Sequence, residues 1–109
     1  DLLAQDRLAS LVGAYARARG VAVRQVVGPG VFWVGRSPSE KVLVHLQKGH
    51  RWWPSIRRGD RLSFVGVVTR NPAAAAARWG IVESEGAPLL AKQGVHLEVL
   101  RARVRIRRG

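Results

Sequence analysis

The sequence has no cysteine and no methionine. Without thiols there is no disulfide scaffold, no thiolate metal site, no cysteine nucleophile and no c-type haem attachment. Acidic residues are scarce, with seven Asp and Glu in 109 residues. Only Glu83 and Glu85 form a close pair, and neither has a histidine beside it. Paired-carboxylate catalysis therefore has little to start from. Long apolar runs are also missing: the chain never approaches the roughly 20 residues of a helical membrane span. The three histidines, His45, His50 and His96, lie far apart with no ligand-type spacing, so no metal and no cofactor are expected. The chain opens on Asp1 and not on Met, as a trimmed form or one cleaved from a leader would.

What is present is arginine. The formal charge is +12, and 16 of the 19 basic residues are Arg, against Lys41, Lys48 and Lys92. Guanidinium groups suit phosphate and carboxylate and stack on bases, so a polyanion such as nucleic acid or anionic lipid is the partner this balance predicts. The abundant Ala, Gly and Val alongside Arg also match the usage of a GC-rich genome, in which case the charge serves mainly solubility. Hydrophobic residues make up 47% of the chain, enough for the core of one domain spanning 1–109.

Periodicity orders the chain. Leu8, Leu11 and Val12 recur at helical spacing, predicting an N-terminal amphipathic helix over 1–13 that ends near Gly13. From Ala14 to Val27 small and apolar residues alternate with arginines, and Gly20 sits between two phases, as in a long strand with a glycine bulge. Gly28-Pro29-Gly30 is a turn and not a phosphate loop, since no Gly-Lys-Ser follows. Val31–Val34 and Lys41–Leu46 read as strands two and three, and Gly59-Asp60 launches a fourth that runs to Arg70. Asn71-Pro72 predicts a helix start, with Asn as N-cap. A second helical turn is predicted over Pro88–Gln93, stopped by Gly94. Val95 to Arg108 reads as one long last strand. Together these predict a mainly β fold: a small five-stranded OB-like barrel over 14–108, with an N-terminal helix and a helical insertion at about 71–94 before the last strand. An open meander with helices on one face is the alternative.

Three constellations bear on function. Lys48, His50, Arg51, Arg57, Arg58 and Arg61 surround Trp52 and Trp53, the mixture of charge and flat rings that single-stranded nucleic acid requires. Alternatively, a tryptophan here plugs an open end of the barrel. Phe32 and Trp33 point to opposite faces of strand two. If Phe32 joins the core, Trp33 either faces outward on the usual OB binding face or lies under the N-terminal helix. Arg101, Arg103, Arg105 and Arg107 share one face of the last strand, as a phosphate-contacting stripe or as a solvated edge.

The segments Val26-Val27-Gly28-Pro29-Gly30-Val31-Phe32-Trp33-Val34-Gly35, Lys41-Val42-Leu43-Val44-His45-Leu46, Gly59-Asp60-Arg61-Leu62-Ser63-Phe64-Val65-Gly66, and Glu85-Gly86-Ala87 through Gln93-Gly94, His96 and Glu98-Val99 resemble a group of bacterial OB-fold-like proteins common in actinobacteria. The resemblance covers about 20–106. It implies a fold and no activity, and it implies an extracytoplasmic or membrane-anchored setting. A nucleic-acid reader would instead belong in the cytoplasm. The chain departs from the group in its charge, and from a standard OB domain in two places. The Trp52-Trp53 loop replaces the helix between strands three and four, and the helical insertion follows strand four.

The expected function is a non-catalytic OB-type module that binds a polyanion, above all nucleic acid, through Trp33, the Lys48–Arg61 loop and the Arg101–Arg105 strand. The alternative is a scaffolding module that meets protein partners or anionic lipid headgroups in an extracytoplasmic assembly.

Overall fold

In the computed structural model, residues 9–28, 30–37, 40–47, 56–100 and 104–107 are described. Six strands form: β1 (Tyr15–Gly28), β2 (Val31–Gly35), β3 (Lys41–Gln47), β4 (Arg61–Arg70), β5 (Val95–Leu100) and β6 (Arg105–Arg107). Five of them close a barrel in the order β1-β2-β3-β5-β4, returning to β1, and β6 adds to β4. The β3–β5 pair is parallel and the other pairings are antiparallel. The architecture is thus mainly β, as the alternating pattern predicts, and closure leaves the five barrel strands without a free edge between them.

β1 closes the barrel by serving two partners. Its first half pairs with β4, from Tyr15 opposite Val67 to Ala22 opposite Arg61, and its second half pairs with β2. The change of partner falls between Ala22 and Val23, just after a bulge at the expected glycine. The register slips between Ala18 and Val21, where Gly20 has φ 60, a conformation that glycine adopts without the Cβ penalty. β4 staples this bulge: Gly20 N–H donates to Ser63 Oγ at 3.0 Å, and Arg61 Nη1 donates to Gly20 O at 3.0 Å.

Strand alternation fills the interior. Phe32, Val34, Val42, Val44, Leu46, Leu62, Phe64, Val68, Val95, Leu97 and Val99 point inward and are buried. A second cluster lies outside the barrel wall. The segment between β4 and β5 forms two short helices, α1 (Ala75–Arg78) and α2 (Ala87–Gln93), joined through a 3-10 turn at Glu83–Glu85. It lays Ala75, Ile81 and Leu90 on Val31, Trp33 and Leu43, the outward residues of β2 and β3. β2 and most of β3 are thereby buried on both faces, which explains why both read as nearly continuous apolar runs. No helix among the described residues is long and apolar enough to cross a membrane.

Two sequence expectations need correction. Asn71 does not cap α1, which begins at Ala75 after Ala74 in the left-handed region. Its side chain is drawn away, with Nδ2 donating to Leu90 O and Oδ1 facing His96. The last strand is not continuous: β5 ends at Leu100, and Arg105–Arg107 form a separate strand, β6, that runs in the same direction along the start of β4. At the N-terminus the described residues show a 3-10 turn, Ala9–Leu11, with Leu11 against the barrel core. The remainder of the expected helix lies outside the described residues.

Candidate functional site

Five described basic side chains share one face of the barrel. On β1, Tyr15, Arg17 and Arg19 alternate with inward Ala16 and Ala18 and are exposed. On β4, Arg61 and Val65 are exposed with Ser63 between them. Arg105 and Arg107 on β6 are exposed as well. Pairing makes these one surface, since Arg17 lies opposite Val65, Ser63 opposite Arg105, and Arg61 opposite Arg107. Arg17, Arg19, Ser63, Val65 and Arg105 line a shallow hollow over Phe64. An adjoining groove of about 450 Å³ beside the bulge adds Arg24, Arg36 and Arg61.

The electrostatics of this face are unbalanced. Two arginines directly opposite on neighbouring strands destabilise a sheet unless solvent or an anion separates their charge. Among the described residues, no carboxylate lies within ion-pair distance of Arg17, Arg19, Arg61, Arg105 or Arg107. Beyond the groove, burial and the charge of Arg24 together lower the Lys41 pKa. The same ammonium lies 4.9 Å from the Trp33 ring centroid.

The residues singled out from sequence divide into three groups. Arg61 and Arg105 are on this face. Arg57 and Arg58 are exposed on the turn before β4, where Arg57 N–H donates to Asp60 Oδ2 at 2.9 Å. Lys48, Arg51, Trp52, Trp53, Arg101 and Arg103 lie outside the described residues. Trp33 must be withdrawn as a ligand contact. It faces outward from the barrel, as expected once Phe32 joins the core, but it is fully buried. Among the described residues the cover is the β4–β5 insertion. Trp33 Nε1 donates to Glu85 O at 2.7 Å. Gly86, at φ +103, approaches so closely that a Cβ there would lie 2.7 Å from the indole. The outer face of β2 and β3, the usual OB binding face, is therefore closed by the protein's own chain.

Two features are missing from the sequence-based expectations. One is the Tyr15–Arg17–Arg19 row. Its signal is the alternation itself, which puts Tyr15 in phase with the arginines, and Tyr15 is 78% exposed. The other is a polar cluster on the outer face of β3 and β5, at the margin of the insertion. The parallel register places His45 directly opposite Glu98. His45 Nδ1 lies 2.7 Å and His96 Nε2 lies 2.6 Å from the same oxygen, Glu98 Oε1. Gln47 Nε2 donates to Oε2 at 3.1 Å, and His96 Nδ1 donates to Asn71 Oδ1 at 2.8 Å. Trp79 stacks on His45 at 5.1 Å and meets His96 edge-on at 4.8 Å.

Burial alone would raise the Glu98 pKa. The hydrogen bonds from His96, His45 and Gln47, with the charge of His45, outweigh it and hold the carboxyl at about 2. A depressed folded-state pKa adds stability above the unfolded value, near 4.3, and that stability is lost as pH falls toward 2. The stability difference between the native chain and Glu98→Gln is thus expected to be full at pH 6 and to shrink between about pH 5 and pH 2. Urea denaturation at stepped pH measures it. A difference that stays constant down to pH 2 would show that the carboxylate is not stabilised by these bonds.

No family model matches the chain, and no curated protein matches it.

Proposed function

We propose that this barrel is a non-catalytic binding module for a polyanion, most specifically single-stranded nucleic acid, engaged on the outer face of β1, β4 and β6. The observation that carries this reading is the convergence of Arg17, Arg19, Arg61, Arg105 and Arg107 on one surface with exposed Tyr15 at the end of the β1 row. Guanidinium groups pair with phosphates, and the phenol ring offers a flat face on which a base stacks. The bulge is stapled to β4, so the backbone positions from which the cations project are fixed before the ligand arrives. The neighbouring groove widens the positive surface toward Arg24 and Arg36.

Binding should be measured by fluorescence anisotropy with a labelled oligonucleotide, at salt concentrations from 50 to 200 mM. Five phosphates neutralised on a single strand predict a log–log salt slope of about −3.5, roughly a hundredfold weakening over that range. Tyr15→Ala should weaken binding a further roughly 5- to 150-fold with the slope unchanged, because base stacking is worth about 1–3 kcal/mol and carries no charge. Absence of binding at 50 mM would remove the reading. A fall in slope with Tyr15→Ala would show that the ring supports the arginines and does not stack on a base.

A further inference from the structure

We propose that His45, His96 and Glu98 form a binding site for a divalent transition-metal cation of the zinc class. The site is separate from the arginine face and does not depend on the function proposed for it. One nitrogen from each ring and one carboxylate oxygen lie within 4.8 Å of one another. Both ring nitrogens point at the same atom, Glu98 Oε1, at 2.7 and 2.6 Å.

The hydrogen-bonding capacity of these groups favours a cation at their meeting point. Asn71 Nδ2 donates to Leu90 O at 3.1 Å, which fixes the amide so that its oxygen faces His96. His96 therefore faces an oxygen at each ring nitrogen, Asn71 Oδ1 at Nδ1 and Glu98 Oε1 at Nε2. The residue is 2% exposed. Glu98 Oε1 must meanwhile collect a ring N–H from His45 as well. A cation at this point takes one lone pair from each ring and one from the carboxylate, where the three ligand atoms already converge. His96 keeps the one hydrogen that Asn71 accepts.

The surrounding residues are those a metal centre requires. Metal-binding histidines commonly donate their other ring hydrogen to a carbonyl or carboxylate oxygen, as His96 does to Asn71, and ligating carboxylates are themselves held, as Gln47 holds Glu98. Trp79 walls the site with an apolar ring. Solvent reaches it past His45, whose side chain is 30% exposed, leaving a route for a water or other fourth ligand. Two imidazoles and a carboxylate suit Zn²⁺, Co²⁺, Ni²⁺ or Cu²⁺, not the all-oxygen shells of Ca²⁺ and Mg²⁺. Tetrahedral Zn²⁺ with bonds of about 2.0–2.1 Å needs neighbouring ligand atoms about 3.3 Å apart, so Glu98 has to draw back by about 0.6 Å, and the two ring nitrogens, which lie within 4.8 Å of each other, have to close to the same spacing.

The test uses the whole chain, stripped with a chelator and then dialysed. Isothermal titration with Zn²⁺ should give one site per chain. Added Cu²⁺ should quench the part of the tryptophan fluorescence that Trp79→Phe removes. Asn71→Ala should weaken Zn²⁺ binding roughly 10- to 100-fold, the usual effect of losing such an outer partner. His45→Ala and Glu98→Ala should each weaken it by more than that, and His50→Ala should leave it unchanged. Circular dichroism without metal checks folding, with His45→Gln replacing any alanine variant that does not fold. Binding that survives loss of His45, binding that depends on His50, or no saturable binding to the folded native chain would overturn the proposal.

Discussion

Trp33→Ala is expected to lower the stability of the domain by about 3–5 kcal/mol, the usual result of emptying a large aromatic site in a packed core. For a chain of this size that corresponds to a fall in Tm of about 12–40 °C, against a total stability typically of about 5–15 kcal/mol. The expectation rests on the position of the ring. Trp33 is fully buried between the barrel wall and the insertion, with Leu43, Ile81 and Leu90 in the same cluster. Its loss unseats the insertion as well as opening a cavity. Trp33→Phe should cost less, about 1–3 kcal/mol, because the ring volume is partly kept while the Glu85 carbonyl loses its donor. Thermal melts and urea titrations of both variants measure the effect. A Trp33→Ala protein within about 1 kcal/mol of the native chain would show that the insertion does not depend on this ring.

Combined replacement of Arg17, Arg19 and Arg105 by alanine should remove most of the polyanion affinity. All three are exposed. None makes an ion pair or side-chain hydrogen bond with a described residue, so the fold loses little. Arg61 is left in place because it donates to the Gly20 carbonyl and braces the bulge. Each phosphate of a single strand that is no longer neutralised reduces the salt slope by about 0.7. The variant's slope should therefore drop from about −3.5 to about −1.4, with an unchanged melting temperature. Replacing Arg57, Arg58 and Arg78, exposed residues outside the two hollows, gives the matched control for net charge. Equal loss in both triple variants would mean that total charge, and not this face, governs binding.

The strands were legible because each records its environment. The β1 alternation and its phase change at Gly20 follow from a strand with one wet face that must bend to serve two neighbours. The apolar runs of β2 and β3 mark strands covered on both sides. What covers them was not legible, since alternation says that Trp33 points away from the core but cannot say that residues 81–90 lie on top of it. The Asn71-Pro72 signal failed because Asn71 was needed elsewhere: a buried histidine 25 positions away outcompeted the helix end for its side chain. The histidine cluster was invisible for a similar reason. His45 and Glu98 are 53 residues apart, and only the parallel pairing of β3 with β5 brings them into register. The arginines of β1 looked like generic alternation until their pairing with β4, and that of β4 with β6, placed them beside Arg61 and Arg105.

The most direct test of the central claim, that the β1–β4–β6 face receives the polyanion, is a map of backbone amide shifts by NMR during titration with a short single-stranded oligonucleotide. The account predicts that the largest changes fall on Tyr15 to Gly20, Arg61 to Val65 and Arg105 to Arg107, fading as salt is raised. Changes centred instead on the insertion, around Trp79 and Ala87, with β1 and β6 unmoved, would contradict it.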